Sequence, residues 1–98
     1  IAITNSGLTK YELSALGIPS VIISNNKQQA LYSDIFSSYG SSIHLGSVDS
    51  VNSKYIRDTC INLMKNYKVR SNMSRVGKVL VAGDGLTKIW DAINKLSK

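Results

Sequence analysis

Residues 1–49 switch repeatedly between short β-branched runs and helix-forming runs that end at glycine, and few folds accommodate that order. Residues 1–4 form a β-branched run followed by Asn5-Ser6-Gly7, which reads as the end of a buried strand and a tight turn. Residues 9–16 are helix formers and stop at Gly17, with Pro19 two positions later to prevent continuation. Ser20-Val21-Ile22-Ile23-Ser24 then resumes as a strand. After the polar turn Asn25-Asn26, residues 27–39 place Leu31, Ile35, Phe36 and Tyr39 on one helical face and stop at Gly40. Residues 42–45 make a third short strand. Strands separated by helices pair in parallel through right-handed crossovers. The expected fold class is therefore α/β, with the doubly wound, Rossmann-like layering of helices on a parallel sheet.

From residue 50 the strand signal is absent and three helices follow. Ile56, Cys60, Leu63, Met64 and Tyr67 form the apolar stripe of the first; Val69, Met73, Val76 and Leu80 that of the second; Leu86, Ile89, Trp90 and Ile93 that of the third. The chain thus reads as one domain over residues 1–98, a strand-helix-strand-helix-strand part (1–49) with a helical tail (50–98). Three strands offer too little sheet for so many helical faces, and the chain opens without Met inside an apolar run. The expectation is a partial domain, its sheet completed in a longer parent by strands before Ile1.

Composition narrows the function classes. Ninety-eight residues, 43% of them hydrophobic, suit one small globular domain that buries a modest share of its surface. No apolar run approaches the ~18 residues that span a bilayer, and no signal peptide is visible. The single cysteine, Cys60, has no partner for a disulfide or a thiolate metal site and lies on a helical apolar face. This suits a reducing compartment, so the expected location is cytoplasmic. The net charge of +6 is lopsided: residues 1–49 hold two lysines against three acids, and residues 50–98 hold ten Lys and Arg against three Asp. These cations are spaced along helices without the arginine–aromatic interleaving of a base-stacking surface, which argues against nucleic acid as the main ligand.

The stretch with most chemistry is Asn5-Ser6-Gly7-Leu8-Thr9-Lys10-Tyr11-Glu12-Leu13, a small-residue loop that enters a helix directly after a strand. Such a loop aims unpaired backbone N–H groups at one point, where a phosphate fits without side-chain clash. Glu12, one turn into the helix, places a carboxylate near that mouth, suited to accept from vicinal hydroxyls. A second reading is equally physical: Thr9-x-x-Glu12 matches a capping box, in which the two side chains serve each other's backbone donors. Spacing alone leaves both open.

Motifs beyond the loop add a resemblance. Ser6 to Leu13, then Leu16-Gly17-Ile18-Pro19-Ser20, then Gln28 twelve residues before Gly40, and in the tail Arg70 to Leu80 with Gly83-Asp84-Gly85, resemble the C-terminal domain of GT-B-type nucleotide-sugar enzymes. The pattern is similar to that of the spore-coat polysaccharide and pseudaminic-acid-pathway group, the latter UDP-sugar hydrolases, and more distantly to the peptidoglycan N-acetylglucosaminyltransferase. The resemblance implies a UDP-sugar ligand held by Ser6, Gly7, Leu8 and Thr9 at the diphosphate, Glu12 at the ribose, and Gln28, less strongly Gln29, at the sugar or phosphate. It implies no cofactor and no metal. It also implies that the catalytic base belongs to an N-terminal domain of the parent, so that these residues grip the ligand without completing a hydrolase or transferase site. The chain departs from the family pattern where Asn5-Ser6-Gly7 replaces a double glycine and Lys27 replaces an asparagine. Two rival functions are a non-catalytic interaction module of the same fold and a basic nucleic-acid-binding domain.

Other residues are read plainly. His44, the only histidine, alternates with Ile43 and Leu45 on a strand and has no acidic neighbour in sequence, so its expected role is structural or at the surface. Asp84 is expected to cap the last helix rather than ligate a metal. Lys10 either neutralises a bound phosphate or faces solvent. Trp90 is expected to anchor packing against another domain.

Overall fold

The computed structural model describes residues 1–5, 7–81 and 90–95 in full and the backbone alone at 85–89 and 96. Strand β1 (Ala2–Asn5), helix α1 (Thr9–Ala15), β2 (Ser20–Ser24), α2 (Lys27–Ser38) and β3 (Ser42–Ser47) follow the expected order, and α3 (Ser53–Lys65), α4 (Tyr67–Val81) and α5 (Gly85–Leu96) form the tail. The three strands pair in parallel in the order β1-β2-β3, a Rossmann-like α/β sheet. Register is regular until Leu45, an extra residue that enters β3 between the partners of Ile22 and Ile23.

Each face of the sheet has its own core, as strand alternation requires. Val21 and Leu45 pack with Leu63 of α3 and Met73 of α4, supported by Ile23, Ile43, Ile56 and Cys60. On the opposite face Ile22 packs with Phe36 of α2 and Leu80 of α4, joined by Tyr11, Tyr39 and Ile93. Helix α4 therefore serves both layers, Met73 in one and Leu80 in the other. Much of the interior between these clusters is serine: Ser14, Ser20, Ser24, Ser33, Ser41 and Ser42 are all buried. Burying hydroxyls yields less than burying methyl groups, so the apolar contribution per residue is small.

Local signals account for several boundaries. Gly17, at φ 72°, takes the left-handed conformation that closes α1, and Ile18 N–H reaches back to Leu13 O at 2.9 Å in the expected C-terminal lock. Asn26, Asn52 and Asn66 cap α2, α3 and α4 through Oδ1, accepting from Gln29, Tyr55 and Val69 N–H. Asn66 also interrupts what periodicity reads as one stripe. Tyr67 consequently opens α4 and is 72% exposed, while Met64 is 60% exposed rather than packed. Leu31 and Trp90, read as stripe residues, are likewise exposed. Asp84, the expected cap of α5, lies outside the described residues.

Candidate functional site

The loops that follow β1 and β2 leave the same carboxyl edge of the sheet from adjacent strands. This edge is where open parallel sheets receive ligands. The first loop carries Gly7 and Leu8 into α1, where Thr9 is the first helical residue and Glu12 stands exposed one turn in. Ser6 lies outside the described residues. The second loop, Asn25 and Asn26, leads into α2, whose first turn presents Gln28 exposed, with its Nε2 donating to Tyr32 Oη at 3.2 Å. Gln29 is half-buried and its N–H is engaged by the Asn26 cap. The fold thus gathers the predicted residues from 7 to 12 and Gln28 on one edge.

The capping box is not formed. The N-cap position of α1 is Leu8, in helical conformation and without a side-chain cap, and Thr9 already lies inside the helix. Thr9 therefore lacks the extended backbone that would turn its hydroxyl onto the first-turn N–H groups. Asn5 does that work one step earlier: its Oδ1 accepts from Gly7 N–H at 3.0 Å, an Asx turn that shapes the loop. The Gly7 N–H is thus occupied, Tyr11 N–H donates to Leu8 O at 3.0 Å, and the Leu8 and Thr9 N–H groups lie between them at the helix entrance.

Lys10 does not face solvent. It is 4% exposed, its Nζ donates to Gly7 O at 3.3 Å, and it stands 4.6 Å from the centre of the Tyr11 ring. Desolvation by burial lowers its pKa from the ordinary 10.5. The same burial raises Tyr11 above 10.0. The loop is thus backed by a cation that lies over two aromatic rings, Tyr11 and Phe36, themselves packed edge to face at 5.0 Å.

His44 has the acidic partner that sequence distance conceals. Its Nδ1 lies 2.5 Å from Asp34 Oδ1 of α2, and its Nε2 lies 2.7 Å from Ser24 Oγ at the end of β2. An ionised carboxylate only accepts, so Nδ1 carries a proton toward Asp34, while the ring's second nitrogen shares a hydrogen bond with the Ser24 hydroxyl. The His44 side chain is 2% exposed, which excludes a surface role. Ser24 is fully buried under α2, so this Ser-His-Asp chain braces β2, β3 and α2, and its serine has no approach for a substrate. Among the described residues no group of three or more His, Cys, Asp or Glu side chains could hold a metal ion.

Comparison with known proteins bears on the whole chain. It is similar to a spore-coat polysaccharide biosynthesis protein. The relative is SpsG of Bacillus subtilis (strain 168), 25% identical over 95 residues, which cover 97% of this chain and 28% of SpsG. The chain therefore spans less than a third of that relative's length. No family profile and no solved structure matches. The match covers 97% of the chain, so the residues gathered at the carboxyl edge fall within its span. Among the described residues no helix is long and apolar enough to cross a membrane.

Proposed function

We propose that this chain binds the diphosphate and ribose of a UDP-linked sugar at the carboxyl edge of its sheet, within a protein of polysaccharide biosynthesis of the GT-B type. The observation that carries the reading is the convergence of the Gly7–Thr9 helix entrance, the exposed Glu12 carboxylate and Gln28 on one edge of adjacent parallel strands. Similarity to SpsG across nearly the whole chain supports the setting in polysaccharide biosynthesis.

The chemistry follows from the groups present. Leu8 and Thr9 N–H groups donate to the diphosphate. The helix dipole adds little, because α1 has seven residues and two turns. Lys10, buried behind Gly7, raises the local potential and disfavours loss of anion from the loop. Glu12 accepts from two vicinal ribose hydroxyls, which discriminates a nucleoside diphosphate from inorganic pyrophosphate. As the bond between sugar C1 and the diphosphate oxygen breaks, charge grows on that oxygen, and fixed N–H donors stabilise it. The base that activates water or an acceptor hydroxyl is supplied from outside residues 1–98, from an opposing domain, and these residues alone do not turn over a UDP-sugar.

Titration of the chain with UDP tests the reading. Glu12→Ala removes charge-assisted hydrogen bonds worth about 1.5–3 kcal/mol, so affinity falls roughly 10- to 150-fold, whereas Arg57→Ala on α3 leaves it unchanged. A folded chain that ignores millimolar UDP points instead to a non-catalytic interaction module and refutes the proposal.

A further inference from the structure

His44 does more than brace three elements, because its two ring nitrogens grip the chain on either side of Gln28. Nε2 meets Ser24 Oγ at 2.7 Å, at the last residue of β2, and Nδ1 meets Asp34 Oδ1 at 2.5 Å, six residues beyond Gln28 on α2. The segment between, residues 25–33, leaves the sheet at its carboxyl edge and returns to the same ring. Ser24 is held through its backbone as well, since its carbonyl accepts from Val48 N–H at 2.7 Å in the loop after β3. The grip is buried: the His44 side chain is 2% exposed and Ser24 is fully enclosed.

The stretch so held is weakly anchored at its start. Lys27 opens α2 with a cation against the positive end of the helix dipole, and Lys27 and Gln28 are both exposed. The side chains that α2 buries, Ser33 and Phe36, lie beyond its first turn. The entrance is shaped by Asn26 Oδ1, which accepts from Gln29 N–H at 2.9 Å, and by Gln28 Nε2, which donates to Tyr32 Oη at 3.2 Å. Both are exposed bonds for which water competes. Closing the segment on one buried ring removes freedom that these bonds leave.

We infer that His44 is a positioning residue of the proposed ligand site, a buried ring that sets the α2 entrance and with it the reach of Gln28 toward the sugar. The inference rests on the reading of the carboxyl edge as a UDP-sugar site, and it divides that site in two. Glu12 and the Gly7–Thr9 entrance belong to α1 and the loop before it, and they serve the nucleoside diphosphate. Gln28 belongs to the segment that the ring closes, and it serves the sugar. A polar contact carried on a two-residue turn keeps its geometry only where a second layer locks that turn. Once displaced, it loses its hydrogen bond while the rest of the ligand stays bound. Loosening the clamp therefore weakens a UDP-sugar and spares UDP, which a general loss of stability does not.

Calorimetric titration with UDP, UDP-glucose and UDP-N-acetylglucosamine tests it, and at least one of the two sugars should bind the wild type more tightly than UDP. The Asp34 side chain is 68% exposed, so Asp34→Ala releases one end of the clamp without threatening the fold. His44→Asn keeps an amide toward Asp34 and releases Ser24. Each should lower affinity for that UDP-sugar about 2- to 12-fold, the worth of one neutral hydrogen bond, with UDP affinity unchanged. Gln28→Ala should do the same, and Gln28→Ala/Asp34→Ala should lose no more than either alone. Without ligand, the Gln29 and Ala30 amides, which donate to Asn26, should exchange with solvent faster in both clamp variants. The Arg70 amide, which donates to Asn66 at the matching place on α4, should not change. Equal losses for UDP and UDP-sugar, wild-type sugar binding by Asp34→Ala, unaltered exchange at Gln29 and Ala30, or a wild type that binds neither sugar more tightly than UDP each overturns the inference while the UDP site stands. A folded chain that ignores millimolar UDP overturns it together with the reading on which it rests.

Discussion

Gly77→Ala reports on the contact that places the candidate site. Gly77 is buried on α4 where that helix meets α1, the most extensive helix–helix contact among the described residues. A methyl group built there would stand 2.8 Å from Ser14 O, 3.2 Å from Ser14 Cα and 3.3 Å from Ser14 C. All three are backbone atoms, so no rotamer change relieves the overlap and one helix must move. Two terms oppose each other. Alanine in a helix interior gains about 0.5–1 kcal/mol over glycine. Overpacking costs about 1–3 kcal/mol, and the upper half applies where backbone must shift. The net is about 1–2 kcal/mol of destabilisation, a fall in Tm of roughly 5–15 °C for a domain of this size. Thermal unfolding followed by circular dichroism measures it, with exposed Ser71→Ala on the same helix as the control that keeps the propensity gain without the clash. Because Ser14 lies two residues beyond Glu12, UDP affinity should fall with stability. A Gly77→Ala chain as stable as Ser71→Ala would refute the close approach of α1 and α4.

Other expectations follow from single groups. Ser33 is buried on α2 and its hydroxyl has no partner among the described residues, so Ser33→Ala should stabilise by about 1 kcal/mol through relief of that orphan and a better helix residue; chemical denaturation reads it. In the His44 brace, His44→Ala strands the buried Ser24 hydroxyl and leaves a cavity, costing about 2–4 kcal/mol, whereas Asp34→Ala exposes its site to water and costs under about 1 kcal/mol. The reverse order in urea melts would show that the brace is misassigned, as would an Nε2–H tautomer in nitrogen NMR. For Lys10, whose pKa burial lowers from 10.5, the unfolded chain binds more protons between that lowered value and 10.5, so stability rises with pH across that window. Tyr11, raised from 10.0, keeps its proton when the unfolded chain loses it, so stability falls above about pH 10. Lys10→Met should remove the rise and keep the fall, and parallel wild-type and variant profiles below pH 10 would contradict the burial of the ammonium.

Element order, parallel pairing and the Gly17 lock were legible because each rests on neighbours in sequence. Gly17 and Pro19 mark the end of α1 locally, and the β-branched runs at Ile3 and at Val21 to Ile23 need no distant information. What escaped depends on separation. His44 and Asp34 lie ten residues apart, and only the crossover from α2 to β3 brings them to 2.5 Å. Gly77 is silent in a reading of apolar stripes, since its contribution is the absence of a side chain. The stripe through Met64 and Tyr67 kept its periodicity across Asn66, but the cap there starts a new helix axis and turns both side chains outward. Of the site, the loop after β1 and Glu12 were legible. The burial of Lys10 was not, because a charged side chain one residue into a helix ordinarily stays in water.

The failed capping box says how the site is positioned. A helix of seven residues is too short to persist on its own propensity, and α1 lacks a side-chain cap at its start. Its place comes instead from three tertiary contacts: the edge of Tyr11 on Phe36, the Ser14 hydroxyl donating to Ser41 Oγ at 3.2 Å, and the bare Gly77 surface against the Ser14 backbone. These tie α1 to α2, to the approach of β3 and to α4 in turn. Glu12 and the loop mouth are therefore held by packing from both flanks of the helix rather than by signals within the loop. Substitutions at Phe36, Ser41 or Gly77 should displace the Glu12 carboxylate without touching a ligand. A 1 Å displacement of a positioned group is sufficient to cost two orders of magnitude in function. In this small, serine-rich interior, the fold and the proposed grip draw on the same few contacts, so loss of binding and loss of stability should track one another across variants of α1 and its neighbours.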